Sequence, residues 1–159
     1  MYLKSLSLKK KIALVTGAGK GIGRASAIAL AEAGADLIIL SRTEKDLIRV
    51  KKEINKLKRK CDFHVCDLFN FDQITEVFSK INRLDILVNN AGTNIPEFFN
   101  KIKKEDMDYM VDLNLKASFH VAQLASKKML NPKNRKTNAG SIINMSSQLG
   151  KVGAPNRST

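Results

Sequence analysis

Thr16-Gly17-Ala18-Gly19-Lys20-Gly21-Ile22-Gly23, set between the apolar run Lys11-Ile12-Ala13-Leu14-Val15 and an alanine-rich stretch from Arg24 to Gly34, decides how the rest of the chain is read. The run before it has the continuous apolar character of a buried strand, and the stretch after it reads as a helix. Between them the chain must turn sharply. Glycines at 17, 21 and 23 allow positive φ, bring peptide N–H groups close to a pyrophosphate and seat the helix tightly on its strand. The helix N-terminus then faces the anion. A glycine turn can be merely structural, but strand, turn and helix in succession are the setting a dinucleotide site requires.

Outward from this turn, short apolar runs alternate with longer periodic ones, the pattern of repeated strand-helix units around a parallel sheet. Strands are predicted at 11–16, 36–41, 61–66, 85–89 and 141–145. Helices are predicted at 22–33, from Thr43 to about Lys58, from about Asp72 to Asn82, and from Lys104 to about Met129. Gly34 closes the first helix as a left-handed cap would. Thr43 with Asp46 makes an N-cap arrangement for the second. The last helix turns Met107, Met110, Val111, Val121, Ala122 and Ala125 inward but carries a polar Asn114 among them. Residues 131–140 form a solvent loop.

The chain has 159 residues, 43% of them hydrophobic and 6% aromatic, which fits one α/β domain with a real core. Its formal charge of +13 could attract nucleic acid or an anionic membrane. Lysine or arginine occurs in every predicted helix, however, and no helix-turn-helix, basic-aromatic stripe or zinc pattern accompanies them, so no nucleic-acid partner is expected. No apolar segment is long enough to span a membrane, and Met1 to Leu8 lacks the apolar core of a signal peptide, so a cytoplasmic location is expected. Cys61 and Cys66 on one strand would stand roughly 16 Å apart on opposite faces and cannot pair. His64 beside Cys66 makes no metal site without a third ligand.

Five motifs in register make the chain resemble the short-chain dehydrogenase/reductase family over essentially its whole length: the glycine turn, Asp67 after the third strand, Asn89-Asn90-Ala91-Gly92 after the fourth, Asn114 in the long helix, and Ile142-Ile143-Asn144-Met145-Ser146-Ser147. The stretch from Ser146 to Arg157 is most similar to members acting on sugar acids and polyols, such as gluconate 5-dehydrogenases. A 3-oxoacyl thioester is the alternative substrate. The resemblance implies an α/β fold with a Rossmann-type doubly wound parallel sheet, truncated after the fifth strand, residues 1–159 being an incomplete NAD(P)-binding domain.

It also implies hydride transfer between a nicotinamide and a carbonyl or secondary alcohol. Ser147 would bind the substrate oxygen and Asn114 would keep a relay water in place. Gly17, Gly19, Lys20, Gly21, Ile22 and Gly23 would hold the pyrophosphate, Asp67 and Leu68 would border the adenine, and Asn90, Ala91 and Gly92 would run beside the nicotinamide ribose. The family's tyrosine base needs a lysine four residues on, because a phenol near pKa 10 is no base at neutral pH without nearby positive charge. That tyrosine would fall just beyond Thr159. Tyr2 and Tyr109 are no substitutes, Tyr109 being about 140° round an ideal helix from Asn114.

Three readings follow: a truncated, inactive oxidoreductase, one half of a split enzyme completed by another chain, or a nucleotide-binding module without chemistry. Complete members assemble as homo-oligomers largely through their fourth and fifth helices, an assembly doubtful for this chain. Its fifth strand would also be an exposed edge. NAD-using Rossmann proteins place an acid at the end of the second strand, where it holds the ribose hydroxyls. Here that place holds Ser41-Arg42. Arg42, with Lys20 nearby, favours the 2′-phosphate of NADP, while Glu44 leaves NAD possible.

Overall fold

In the computed structural model, which describes residues 6–130 and 140–152, five short runs pair side by side as parallel strands. They are β1 (Ile12–Thr16), β2 (Asp36–Ser41), β3 (Cys61–Val65), β4 (Ile86–Asn89) and β5 (Ser141–Asn144). The order across the sheet is β3-β2-β1-β4-β5. The chain therefore builds outward from β1 through β2 to β3, then crosses back to lay β4 on the other side. Such a reversal opens a crevice beyond the carboxyl ends of β1 and β4. Val15 sits opposite both Ile39 and Val88, so the central strands end level with one another at that crevice.

Side-chain alternation along the strands divides the core between two faces. Ala13, Val15, Leu37 and Ile39 pack with Ala27 and Ala31 of α1 (Gly21–Glu32) and with Leu47, Val50 and Ile54 of α2 (Glu44–Lys56). Leu14, Ile38, Leu40 and Leu87 pack with Ile74, Val77 and Phe78 of α3 (Phe71–Lys80) on the other face. Two covered faces account for the unbroken run Leu37-Ile38-Ile39-Leu40. Cys61 and Cys66 belong to opposite faces and are both free, as their strand spacing predicts. Burial pushes the Cys61 thiol up to about 12 and that of Cys66 up to about 11, so both stay protonated at neutral pH.

Gly34 takes φ 107° just past α1, the left-handed stop its position predicts. Elsewhere the structure corrects the sequence reading. Thr43 does occupy the N-cap position of α2, but its side chain caps nothing, and Asp46 pairs with Arg49 at 3.2 Å. The continuous helix expected from Lys104 to Met129 is three segments: α4 (Lys104–Val111), a π-helical stretch Asp112–Ala117, and α5 (Ser118–Met129). The wider π turn rotates α4 relative to α5, so Met107, expected inward, is 45% exposed, while Leu113 and Ala117 enter the core with Val121, Ala125 and Met129. β5 is an edge strand, its four residues exposed. The loop expected at 131–140 lies outside the described residues except for Gly140.

Candidate functional site

β1 ends in Thr16, a buried residue whose hydroxyl accepts hydrogen bonds from the Asn90 and Ala91 amides, both at 3.0 Å. The same hydroxyl donates to Asn89 Oδ1 at 3.4 Å. Asn90 Nδ2 returns two bonds, to the carbonyls of Thr16 at 3.0 Å and Gly17 at 3.4 Å. The glycine turn and the segment after β4 are thereby locked together at the mouth of the crevice. Gly17 (φ 63°) and Gly21 (φ 55°) take the left-handed conformation that the turn needs. Gly23 serves contact instead, since a Cβ there would stand 2.3 Å from the Gly17 carbonyl oxygen and 2.5 Å from Asn90 Nδ2. α1 begins with Lys20 at the N-cap, which makes no side-chain cap, and its first turn contains no acid. Its leading N–H groups are left for an anion.

Above this turn a cavity of about 390 Å³ runs from Ser41 and Arg42 at one end to Asn90, Ala91 and Gly92 at the other. Gly17, Gly19, Lys20 and Ile22 line it beneath, and Asp67, Leu68 and Phe69 form a side wall. Every residue expected from the sequence to touch the cofactor lines this cavity except Gly21 and Gly23, which shape the turn itself. Asp67 also builds that wall, its Oδ1 accepting from the Phe69 amide at 3.1 Å.

The cavity includes residues the sequence reading did not single out. Leu40, Thr43, Cys66 and Leu113 sit next to residues that were named, so proximity along the chain could have found them. Phe69, next to Leu68, could have been found in the same way, whereas Asp46 was read only as part of the α2 N-cap arrangement. Asp46 brings a carboxylate to the wall, but Arg49 pairs with it and also donates to the Gly19 carbonyl at 3.1 Å. Tyr109, which the sequence reading set aside as a substitute for the family's tyrosine base, stacks on Phe69 with ring centroids 4.5 Å apart. Its hydroxyl accepts from Arg42 at 3.5 Å. It therefore stands at the Arg42 end of the cavity.

Asn114 falls inside the π-helical stretch, which answers why a polar residue interrupts an apolar face. Its Nδ2 donates to the Thr93 carbonyl at 2.8 Å and its Oδ1 accepts from the Thr93 amide at 2.9 Å. Both ends of its side chain are spent on the loop that follows Gly92. π turns of this kind recur at functional sites because they change which backbone groups are paired within the helix. Asn89 Nδ2 ties β4 to α5 and to β5, donating to the Ser118 carbonyl at 2.7 Å and to Asn144 Oδ1 at 3.3 Å. Beyond β5, Ser147 is exposed, and its Oγ accepts from the Leu149 amide at 3.2 Å, leaving its O–H free to donate. Among the described residues no group of His, Cys, Asp and Glu could hold a metal ion, and no helix is long and apolar enough to cross a membrane.

The family model for short chain dehydrogenases matches residues 11–159. The chain belongs to the short-chain dehydrogenase family. It is 36% identical over 154 residues to the 3-oxoacyl-[acyl-carrier-protein] reductase FabG of Thermotoga maritima, an alignment covering 94% of this chain and 61% of that one. The carveol dehydrogenase of Mycobacterium avium, solved in complex with NAD, superposes with a TM-score of 0.84 at 27% identity, over 94% of this chain and 59% of that one. A structure from Beutenbergia cavernae, assigned as an NAD(P)-dependent gluconate 5-dehydrogenase with NADP at low occupancy, gives 0.85 at 29%, over 96% and 60%.

This short-chain dehydrogenase thus spans about three fifths of the length of these relatives. Its cavity fits an elongated dinucleotide. The glycine turn lines the cavity with Gly17 and Gly19, which carry no side chain, and the uncapped, acid-free start of α1 suits a diphosphate's charge. A guanidinium stands at one end and the Asn90-Ala91-Gly92 backbone at the other.

Proposed function

We propose that this chain holds NADP and serves the interconversion of a carbonyl and a secondary alcohol. The observation that carries the reading is the cavity itself, with a glycine turn and an open helix N-terminus beneath it and Arg42, not an acid, at the end of β2. Gly17, Gly19, Lys20, Gly21, Ile22 and Gly23 hold the diphosphate, Asp67 and Leu68 border the adenine, and Asn90, Ala91 and Gly92 flank the second ribose. Ser41 meets the first ribose, and Arg42 pairs with its 2′-phosphate in the forked geometry a guanidinium allows. When bound, the nicotinamide supplies or takes the hydride. Ser147 donates a hydrogen bond to the substrate oxygen, and Asn114 keeps the Thr93 loop and the π-helical carbonyls placed for a proton-relay water.

The proton donor is not among these residues: position 6 is Leu and position 113 is Leu, so neither Tyr2 nor Tyr109 is followed by the lysine that would lower its pKa. The 159 residues alone bind the dinucleotide without turnover. A Tyr-x-x-x-Lys segment supplied in trans tests the reading of a split enzyme, and binding that no added segment converts to activity favours a nucleotide module. For the substrate, sugar acids and polyols come first, with 3-oxoacyl thioesters the alternative supported by the FabG relative.

Calorimetry with NADPH and NADH tests the cofactor reading. The chain binds NADPH more tightly, and Arg42→Asp shifts the ratio of the two affinities at least tenfold toward NADH, as expected when a charge-assisted pair is replaced by repulsion. An unchanged ratio contradicts the assignment of Arg42. NADPH-dependent ketone reduction by the pure chain contradicts the assignment of the proton donor.

A further inference from the structure

We propose that Tyr109 is a specificity residue of the adenosine end, its hydroxyl forming with Arg42 a two-donor cradle for the phosphate on the ribose 2′ oxygen. The inference rests on the NADP reading above and adds to it a residue of α4 that reaches Arg42 and stacks on the Phe69 wall.

A phenol oxygen has two acceptor lone pairs and a single proton to donate. Because Arg42 Nη1 donates to Tyr109 Oη at 3.5 Å, the tyrosine is the acceptor in that contact and its own O–H remains available. Arg42 in turn keeps its other N–H groups. Two side chains that point at one another across 67 residues of chain therefore present several donors and no acceptor demand to an incoming anion. The ring cannot swing freely, since it stacks on Phe69, itself part of the cavity wall, with an interplanar angle of 29°. Thr43, which makes no side-chain cap on α2, leaves that helix start open beside Arg42.

The neighbouring acids are mostly occupied. Asp46 is paired with Arg49, Asp108 with Lys104 and Asp112 with Lys116. Glu44 is exposed two residues from Arg42, and its carboxylate, like that of Asp67 on the cavity wall, works against an anion at this end. The link is weak, being long and exposed. A phosphate accepting from both groups would shorten and strengthen it.

The test uses two probes that contain only the adenosine half, 2′,5′-ADP and 5′-AMP, titrated calorimetrically into the 159-residue chain and its variants. Tyr109→Phe keeps the stack on Phe69 and loses only the hydroxyl. It is expected to weaken 2′,5′-ADP about fivefold to tenfold while 5′-AMP changes by less than about twofold, the scale of one hydrogen bond to a charged group at a partly exposed site. Arg42→Ala should weaken 2′,5′-ADP further, and adding Tyr109→Phe to it should cost less than it does in the unsubstituted chain, because the two groups act as a pair. If Tyr109→Phe binds 2′,5′-ADP as tightly as the unsubstituted chain while Arg42→Ala does not, the role of Tyr109 is overturned and the NADP reading stands. If Arg42→Ala also leaves 2′,5′-ADP unaffected, both fall. Equal losses for the two probes in Tyr109→Phe would mark a packing defect and overturn the role as well.

Discussion

A single hydroxyl on Thr16 organises the mouth of the crevice at the residue scale, taking two backbone donors from the segment after β4 and giving its proton to Asn89. Valine has the same shape and none of that chemistry. Thr16→Val should leave the Asn90 and Ala91 amides without acceptors and destabilise the fold by about 2 to 4 kcal/mol in urea denaturation, at roughly 1–3 kcal/mol for each orphaned group. Thr16→Ser, which restores the hydroxyl, should recover most of that loss, and equal midpoints for the two variants would contradict the assignment. Gly23 shows the complementary kind of specification, in which the absence of an atom matters, since its missing Cβ is what admits the Gly17 carbonyl and the Asn90 amide. That close approach was legible in the sequence, as glycines in this pattern between a strand and a helix have few other uses. The link from Arg42 to Tyr109 was not, because no local spacing relates two residues that only the assembled sheet brings together.

Helix starts show how local patterns succeed and fail at the element scale. Asn70 caps α3, its Oδ1 accepting from the Asp72 and Gln73 amides at 3.1 Å each. Thr43 and Asp46 have the right spacing for a capping box at α2, yet Arg49 one turn on captures the Asp46 carboxylate and the box does not form. Asn70→Ala should therefore cost about 1 kcal/mol of stability, and Thr43→Ala should stay within about 0.5 kcal/mol. Similar losses at both sites, measured by chemical denaturation, would contradict this distinction. The π-helical stretch was illegible for a related reason: reading apolar residues at a period of 3.6 carries the register straight through one wide turn. The visible trace of it was Asn114, polar on a face expected to be buried, and the structure puts that side chain on Thr93. The strands, defined by short apolar runs with unambiguous breaks, came within two residues of their observed ends.

For the whole molecule, strand order converts these local features into a site. With β1 and β4 adjacent at the centre, the glycine turn, the Asp67 segment and the Asn90-Ala91-Gly92 segment all emerge at the same edge of the sheet, and together they line one cavity. A doubly wound parallel sheet was legible in the alternation of strands and helices and in the family resemblance, while the order β3-β2-β1-β4-β5 is seen only in the structure. The cavity's depth and its Phe69 wall depend on side-chain packing that no pattern encodes. The formal charge of +13 adds a long-range attraction for any phosphate-bearing ligand, which salt would weaken without altering where the ligand sits. The central claim is that the peptide amides of the turn after β1 grip the diphosphate. Backbone amide NMR of the 159-residue chain, titrated with NADPH, tests it most directly: the Gly19, Lys20, Gly21 and Ile22 resonances should shift together and saturate at one equivalent, whereas a titration that saturates while leaving those four amides unmoved would contradict it.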